Sequence, residues 1–410
     1  MQRLRQMIGF GYLGVFLITL LATTFWQPLG YAPFPLRLGP AGEPITVTIW
    51  YGTEKEAWLE DAAQRFAATN PTINGRPITI ALKGLGSREL ALRTAQQQWN
   101  GETPPTVLSP ASSLWVEALR DEWPKRGNSG EIVLDGANAP QPLVLTPLVF
   151  VVWEERAQAL WSNGPNTFWK DIHDALADPQ GWTGHVNPNA PDALKAQAAN
   201  WGFVKFGHTS PLTSNSGAQA VVLLAYGFHN KNSGLTVNDI LDPAFQSWFL
   251  DIQRSVLEFG NSTGTFMTNM VRFGPSKYDL AVVYENLAIE NIEAAQGRWG
   301  DTLRVVYPPA TTFSDHPYAI LNGPWTTPDQ QQAAARFRDF LLTRPIQELS
   351  LQYGFRPADP SVPIISNDAN NPFNKYRQFG VTVDIPQQIE TPSGDVLNTL
   401  LELWRREINK

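Results

Sequence analysis

The sequence predicts a two-lobed α/β protein, each lobe a mainly parallel sheet flanked by helices, carried behind an N-terminal transmembrane helix. Three observations predict it. Strand-like β-branched segments alternate with helical patterns, an almost continuous apolar run from Leu143 to Trp153 fits a strand passing between lobes, and an uncharged, mostly apolar stretch runs from Ile8 to about Trp26. Strands that alternate with helices need crossover connections, and those connections put helices on the faces of a sheet.

The apolar stretch is close to the ~20 residues that span a bilayer. Arg3 and Arg5 precede it, and positive charge there keeps the N-terminus in the cytoplasm and sends the remainder outward. Residues 1–27 therefore read as a signal anchor and 28–43 as a stiff stalk with Pro28, Pro33, Pro35 and Pro40. The alternative is a secretory signal cut near Gly30-Tyr31-Ala32, which would release the same body. Residues 44–148 and 318–410 are assigned to the first lobe and 149–317 to the second, with Pro317 to Leu321 as the return crossing.

The 410-residue chain has no cysteine, which excludes disulfides, thiolate metal sites, a cysteine nucleophile and a lipidated cysteine. A net charge of −7 offers no basic stripe for nucleic acid. His173, His185, His208, His229 and His316 show no compact metal spacing and read as surface or loop residues. A P-loop motif is missing, and adjacent Glu154 and Glu155 do not share a helix face, so the chain is not read as an enzyme.

Ile45 to Trp50 is β-branched and reads as a strand; Gly52 turns it into a helix in which Thr53 and Glu56 form a capping box and Trp58, Ala62 and Phe66 share one face. Ile78 to Leu82 repeats the strand, with Gly84 and Gly86 in the turn and Ser87 as helix cap, and Thr106 to Ser109 follows as a short strand. In the second lobe, helical patterns fall at Phe168 to Leu176, Gly217 to Tyr226, Pro243 to Phe259 and Asn286 to Gln296, and strands at Phe203 to Phe206, Leu280 to Tyr284 and Leu303 to Tyr307. Thr327-Pro328 with Gln330 opens a helix to Leu342; Pro345 opens another that ends at Gly354, and Val396 to Glu407 closes the chain with Leu397, Leu400, Leu401 and Trp404 on one face.

The strongest site signal is the loop Phe206 to Gly217, rich in Ser and Thr, which feeds an apolar helix. Helix N-termini offer unpaired N–H groups and partial positive charge, so polar oxygens and anions settle there, and Ser214 and Ser216 add hydroxyls. The same hydroxyls serve equally well as simple caps. Thr53 and Ser87 stand at two further helix starts beyond strand carboxyl ends, where open α/β sheets collect ligands. Tyr284 and Glu285 end a buried strand at that edge; Glu285 reads as a ligand acceptor or as a hinge contact.

The Thr209 to Gly217 loop, Tyr278 to Glu285, Phe337 to Leu342 and Gly354-Phe355-Arg356-Pro357 together resemble the bacterial extracellular solute-binding family, in the group that includes molybdate-, phosphate- and ferric-ion-binding proteins of ABC importers. The resemblance covers nearly everything after the stalk. It implies a periplasmic-binding-protein-like (type II) clamp with no cofactor and with Thr53, Ser87, Ser216 with Gly217, and Tyr284 at the ligand; Ser214 and Glu285 join these candidates from the reading of the residues themselves. It also implies a monomer at the outer face of the cytoplasmic membrane that delivers a small polar or ionic solute to an ABC permease. A carboxylate at Glu285 sits badly beside an oxyanion. A membrane-tethered sensor or envelope interaction module built on the same clamp is the alternative function.

Overall fold

The computed structural model describes residues 42–161, 164–165, 167–385 and 387–408. The predicted anchor and most of the stalk lie outside them, and among the described residues no helix is long and apolar enough to cross a membrane.

The first lobe is built on β1 (Ile45–Gly52), β2 (Thr72–Ile73), β3 (Arg76–Leu85), β4 (Val107–Ser109), β5 (Gln141–Pro142) and β12 (Pro317–Ile320), in sheet order β2-β3-β1-β4-β12-β5. β1 runs parallel to β3 and β4, with Ile45 opposite Ile78 and Ile49 opposite Val107; β12 is antiparallel to β4. Side chains alternate across a strand, so β1 feeds two cores. Ile45, Val47 and Ile49 pack with Trp58, Ala62 and Phe66 of helix α1 (Glu56–Ala68) and with Phe337. Trp50 points the other way, to Leu90 of α2 (Ser87–Ala95) and Trp115 of α3 (Leu114–Lys125).

The second lobe centres on β6 (Val144–Trp153), whose residues Leu148 to Trp153 are all buried because both faces of its sheet are covered. β6 pairs antiparallel with β8 (Leu280–Tyr284), β9 (Leu303–Val306) and β11 (Phe313–Ser314), while β7 (Phe206–Gly207) runs parallel to β8. This corrects the expected mainly parallel sheet: the strand that enters from the first lobe runs against its neighbours, and both sheets are mixed. Helices α4 (Glu154–Trp161), α5 (Phe168–Ala177), α6 (Asn215–Phe228), α7 (Pro243–Arg254), α8 (Thr263–Phe273) and α9 (Glu285–Trp299) surround it.

After β10 (Ala310–Thr311) the chain returns to the first lobe through β12, then forms α10 (Pro328–Leu341) and α11 (Arg344–Gln352). Thr327 and Gln330 make the expected capping box, and Gly354 follows α11 at φ +70°, the left-handed conformation that favours glycine. The segment 318–410 does not stay with the first lobe. β13 (Arg356–Pro357) pairs with β6, β14 (Gln387–Gln388) pairs with β10, and Leu400 and Trp404 of α12 (Gly394–Glu407) join the second core, with Trp404 Nε1 donating to Gln253 Oε1 at 2.8 Å. An amphipathic terminal helix docks wherever an apolar face is open, and its sequence does not say which lobe offers one.

Candidate functional site

Four helix starts meet where the lobes face each other. The chain leaves β3 through Gly86, whose φ of −67° and ψ of 138° suit any residue. What requires glycine is proximity: a Cβ there would lie 2.6 Å from Thr213 O and 2.7 Å from Asn261 O of the second lobe. The Arg88 and Glu89 amides at the start of α2 donate to that same Thr213 carbonyl at 3.0 and 3.2 Å. Gly264 mirrors the arrangement. Its N–H donates to Thr53 Oγ1 at 3.1 Å, and a Cβ on it would meet Thr53 O at 2.5 Å.

The second-lobe side is a cluster of hydroxyls. Ser216 Oγ lies 2.7 Å from both Thr209 Oγ1 and Thr263 Oγ1, and Ser214 Oγ lies 3.2 Å from Thr263 Oγ1. All four side chains are buried. A hydroxyl both donates and accepts and its hydrogen rotates freely, so the cluster can present either polarity to a ligand. Next to it, Asn215 Nδ2 donates to Tyr284 Oη at 2.8 Å and to Ser314 Oγ at 3.1 Å, while its Oδ1 accepts from Trp115 Nε1 at 2.7 Å. Burial, reinforced by the Glu54 charge, pushes the Tyr284 phenol well up, so it stays protonated.

Thr53, Ser214, Ser216 and Tyr284 are thus brought together. Ser87 lies on the first-lobe side, where its Oγ accepts from the Ala111 amide at 2.9 Å, and the Thr53–Glu56 capping box does not form because Thr53 instead reaches across to Gly264. Gly217 serves packing: a Cβ there would lie 2.2 Å from Thr209 O. Glu285 is held elsewhere. Arg356 grips it with Nε to Oε2 and Nη2 to Oε1, both 2.8 Å, and the Tyr307 hydroxyl also donates to Oε1. Of the two readings for Glu285, the structure supports the hinge contact, and its place among the ligand groups is withdrawn.

Buried charges in the cleft escaped the sequence reading. The Glu54 carboxylate folds back over Gly52, with an Oε1 that a Cβ on the glycine would approach to 2.4 Å. Lys55 Nζ, fully buried, donates to Glu54 Oε1 at 2.8 Å and to Pro110 O at 3.3 Å, and His316 Nδ1 lies 3.2 Å from Lys55 Nζ. Burial alone would push the Glu54 carboxyl up, but Lys55 and His316 outweigh it and hold it down to about 2. Burial, then Lys55, brings His316 down to about 4. His316 and His208 are therefore core residues rather than surface ones; His208 packs against Phe259 and meets Thr209 O and Gln253 Oε1. Thr263 was missed although Asn261-Ser262-Thr263-Gly264 has the same turn chemistry as the Ser214 loop.

Two α/β lobes joined by β-strands, with helix starts and hydroxyls converging between them, define a clamp of the periplasmic binding-protein class. The family model for bacterial extracellular solute-binding proteins matches residues 47–356, and the chain belongs to that family. Among solved structures, the sulfate-binding protein SubI of Mycobacterium tuberculosis is similar at 18% identity and a TM-score of 0.52, covering 86% of this chain and 96% of its own. A periplasmic thiamin-binding protein aligns at 11% identity and a TM-score of 0.57, covering 92% and 99%. The substrate-binding protein of an ABC transporter from Agrobacterium tumefaciens aligns at 12% identity and 0.54, covering 90% and 97%. These identities speak for the fold. No curated protein sequence matches the chain.

Proposed function

We propose that this protein captures a small polar solute between its lobes, on the outer side of the cytoplasmic membrane, and presents it to an ABC permease. The N-terminal segment tethers it there, and the clamp works as a monomer. The observation that carries the reading is the contact between Thr53 Oγ1 and the Gly264 amide, which joins two helix starts from opposite lobes beside the Ser214–Ser216–Thr263 hydroxyls. Family membership supports solute binding, and the proteins with this fold bind solutes as unlike as sulfate and thiamin, so the ligand class must come from the cleft itself.

The cleft favours a neutral or cationic polar solute over an oxyanion. Its first helix start already holds a carboxylate, Glu54, and the Lys55 ammonium is paired with it. A thermal-shift panel of sugars, amino acids, polyamines, oxyanions and metal ions tests this, since a ligand that binds only the folded state stabilises it. A shift with one class, lost in Ser214→Ala/Ser216→Ala, supports the proposal; a shift that survives that double substitution removes the hydroxyl cluster from the site. One observation favours a second reading, a fixed clamp serving as an interaction module: the Thr213 carbonyl bonds directly to the α2 amides of the other lobe. No shift with any compound supports that alternative.

A further inference from the structure

A cavity of about 730 Å³ lies between the lobes on the hinge side, next to the hydroxyl cluster and distinct from it. None of the residues Thr53, Ser87, Ser214, Ser216, Tyr284 or Glu285 lines it. Its first-lobe wall is the turn Ser112 to Leu114 and Glu117 of α3; its second-lobe wall is the α6 face carrying Ala218, Gln219 and Val222. Phe313 and Leu145 from the connecting strands and Leu397 of α12 complete an apolar body.

The charged groups that line this cavity have one sign, among neutral polar ones such as Asn215, Gln219 and Gln388. Glu117, Asp315 and Glu390 line it, and among the described residues no lysine, arginine or histidine does. Asp315 accepts from the Ser113 amide at 2.8 Å and from the Ser113 hydroxyl, Glu390 accepts from the Gly234 amide at 2.8 Å, and Glu117 has Arg120 at 3.7 Å, outside the cavity lining. Neutral donors orient two of these carboxylates without cancelling their charge. Apolar walls with a few convergent polar groups are the usual make-up of a small-molecule site, and carboxylates gathered around its mouth attract a cation.

We propose that this cavity is a binding site for a small amphipathic cation, an apolar or aromatic body bearing an ammonium group. The ammonium faces Asp315 and Glu117, and the body lies against Phe313, Leu145 and the α6 face. The proposal does not rest on the solute reading, although the two sites adjoin: Asn215 lines the cavity and donates to Tyr284 Oη, and Lys55 feels the Asp315 charge. An occupant bridges α3 of one lobe to α6 of the other, so it fixes their relative position.

The test is isothermal titration of the full-length chain in detergent, against a matched micelle blank, with three probes of one shape: phenethylammonium, 2-phenylethanol and 3-phenylpropanoate. The expected order is phenethylammonium tighter than the alcohol by at least fivefold, with the carboxylate weakest. Gln219→Trp, which fills the cavity, and Glu117→Gln, a surface change that the fold tolerates, each weaken the amine at least threefold, while Ser214→Ala/Ser216→Ala leaves it unchanged. Three probes binding within twofold of one another, or amine binding that ignores Glu117→Gln, would overturn the proposal. Loss of amine binding in the double serine variant would place the probe in the hydroxyl cluster and overturn it as well.

Discussion

Glu285 and Arg356 form a two-point ion pair with both contacts at 2.8 Å, and neither side chain reaches solvent appreciably. Glu285 opens α9 at the end of β8, and Arg356 lies in β13 where the chain leaves the first lobe for the last time. The pair therefore ties together the strand β6, the helix α9 and the C-terminal segment, with Arg356 also donating to the carbonyls of Thr382 and Val383 at 2.7 and 3.0 Å. It is a joint of the hinge.

Removing one partner of a buried pair strands the other charge, which costs about 3–5 kcal/mol, whereas replacing both by apolar groups is often close to neutral. Arg356→Met is expected to lower the thermal midpoint strongly, and Glu285→Leu/Arg356→Met to lower it less than Arg356→Met alone. Differential scanning fluorimetry of the three proteins checks this. Solute affinity of Glu285→Gln, measured below its midpoint, is expected to stay within twofold of the parent, since the carboxylate does not face the cleft.

Gly86→Ala separates closure from folding. Alanine fits the φ and ψ of residue 86, yet its methyl meets the carbonyls of Thr213 and Asn261 across the cleft. The substitution is expected to leave each lobe folded, weaken the solute by about tenfold or more, and increase the radius of gyration in small-angle scattering. A scattering curve and an affinity both identical to the parent would show that the lobes need not approach this closely.

Glu54→Gln tests what excludes oxyanions. The neutral amide keeps the shape of the side chain and releases Lys55 from its partner. Sulfate or molybdate, which should give no thermal shift with the parent, is expected to give one with Glu54→Gln. Lys55 is fully buried, so this variant is also less stable without an anion.

Glu290 in α9 gives a pH signature unrelated to ligand. Burial pushes its carboxyl up from 4.5 to about 8, and its Oε1 has no partner. The folded state then holds a proton that the unfolded chain has released. The stabilising contribution is complete below pH 4.5 and disappears as pH rises through about 8. Glu290→Gln is expected to match the parent near pH 4.5 and exceed it by about 2 kcal/mol at pH 9, given that part of the side chain remains at the surface. Thermal melts across that range check the sign; a gap that narrows with rising pH would contradict it.

Much of the scaffold was legible because it rests on local patterns. β1 and α1 follow from β-branching and the Trp58, Ala62, Phe66 spacing, and the Thr327-Pro328 start forms the box its residues imply. The loop before α6 was legible as a helix start for the same reason, but Ser214 and Ser216 fit a simple cap as well as a ligand group, and the sequence does not choose between them. What the sequence hid depends on long-range partners. Glu54 and Lys55 look like any charged first turn until the fold buries them together, 55 residues from Pro110 and 261 from His316. Glu285 looked like a ligand group because its partner, Arg356, lies 71 residues away. The direction of β6 and the docking of α12 on the second lobe are likewise settled by topology, to which periodicity is blind.

The central claim, that a solute held by the hydroxyl cluster draws the lobes together, is tested most directly by a distance across the cleft. The chain has no cysteine, so Glu60→Cys on α1 and Thr268→Cys on α8, both exposed, give a unique pair for spin labels. Double electron–electron resonance is expected to show this distance shorten and its distribution narrow when the solute found in the thermal-shift panel is added, and to show no change in Ser214→Ala/Ser216→Ala at the same solute concentration. A distance that stays fixed while solute binds would contradict a ligand-driven clamp.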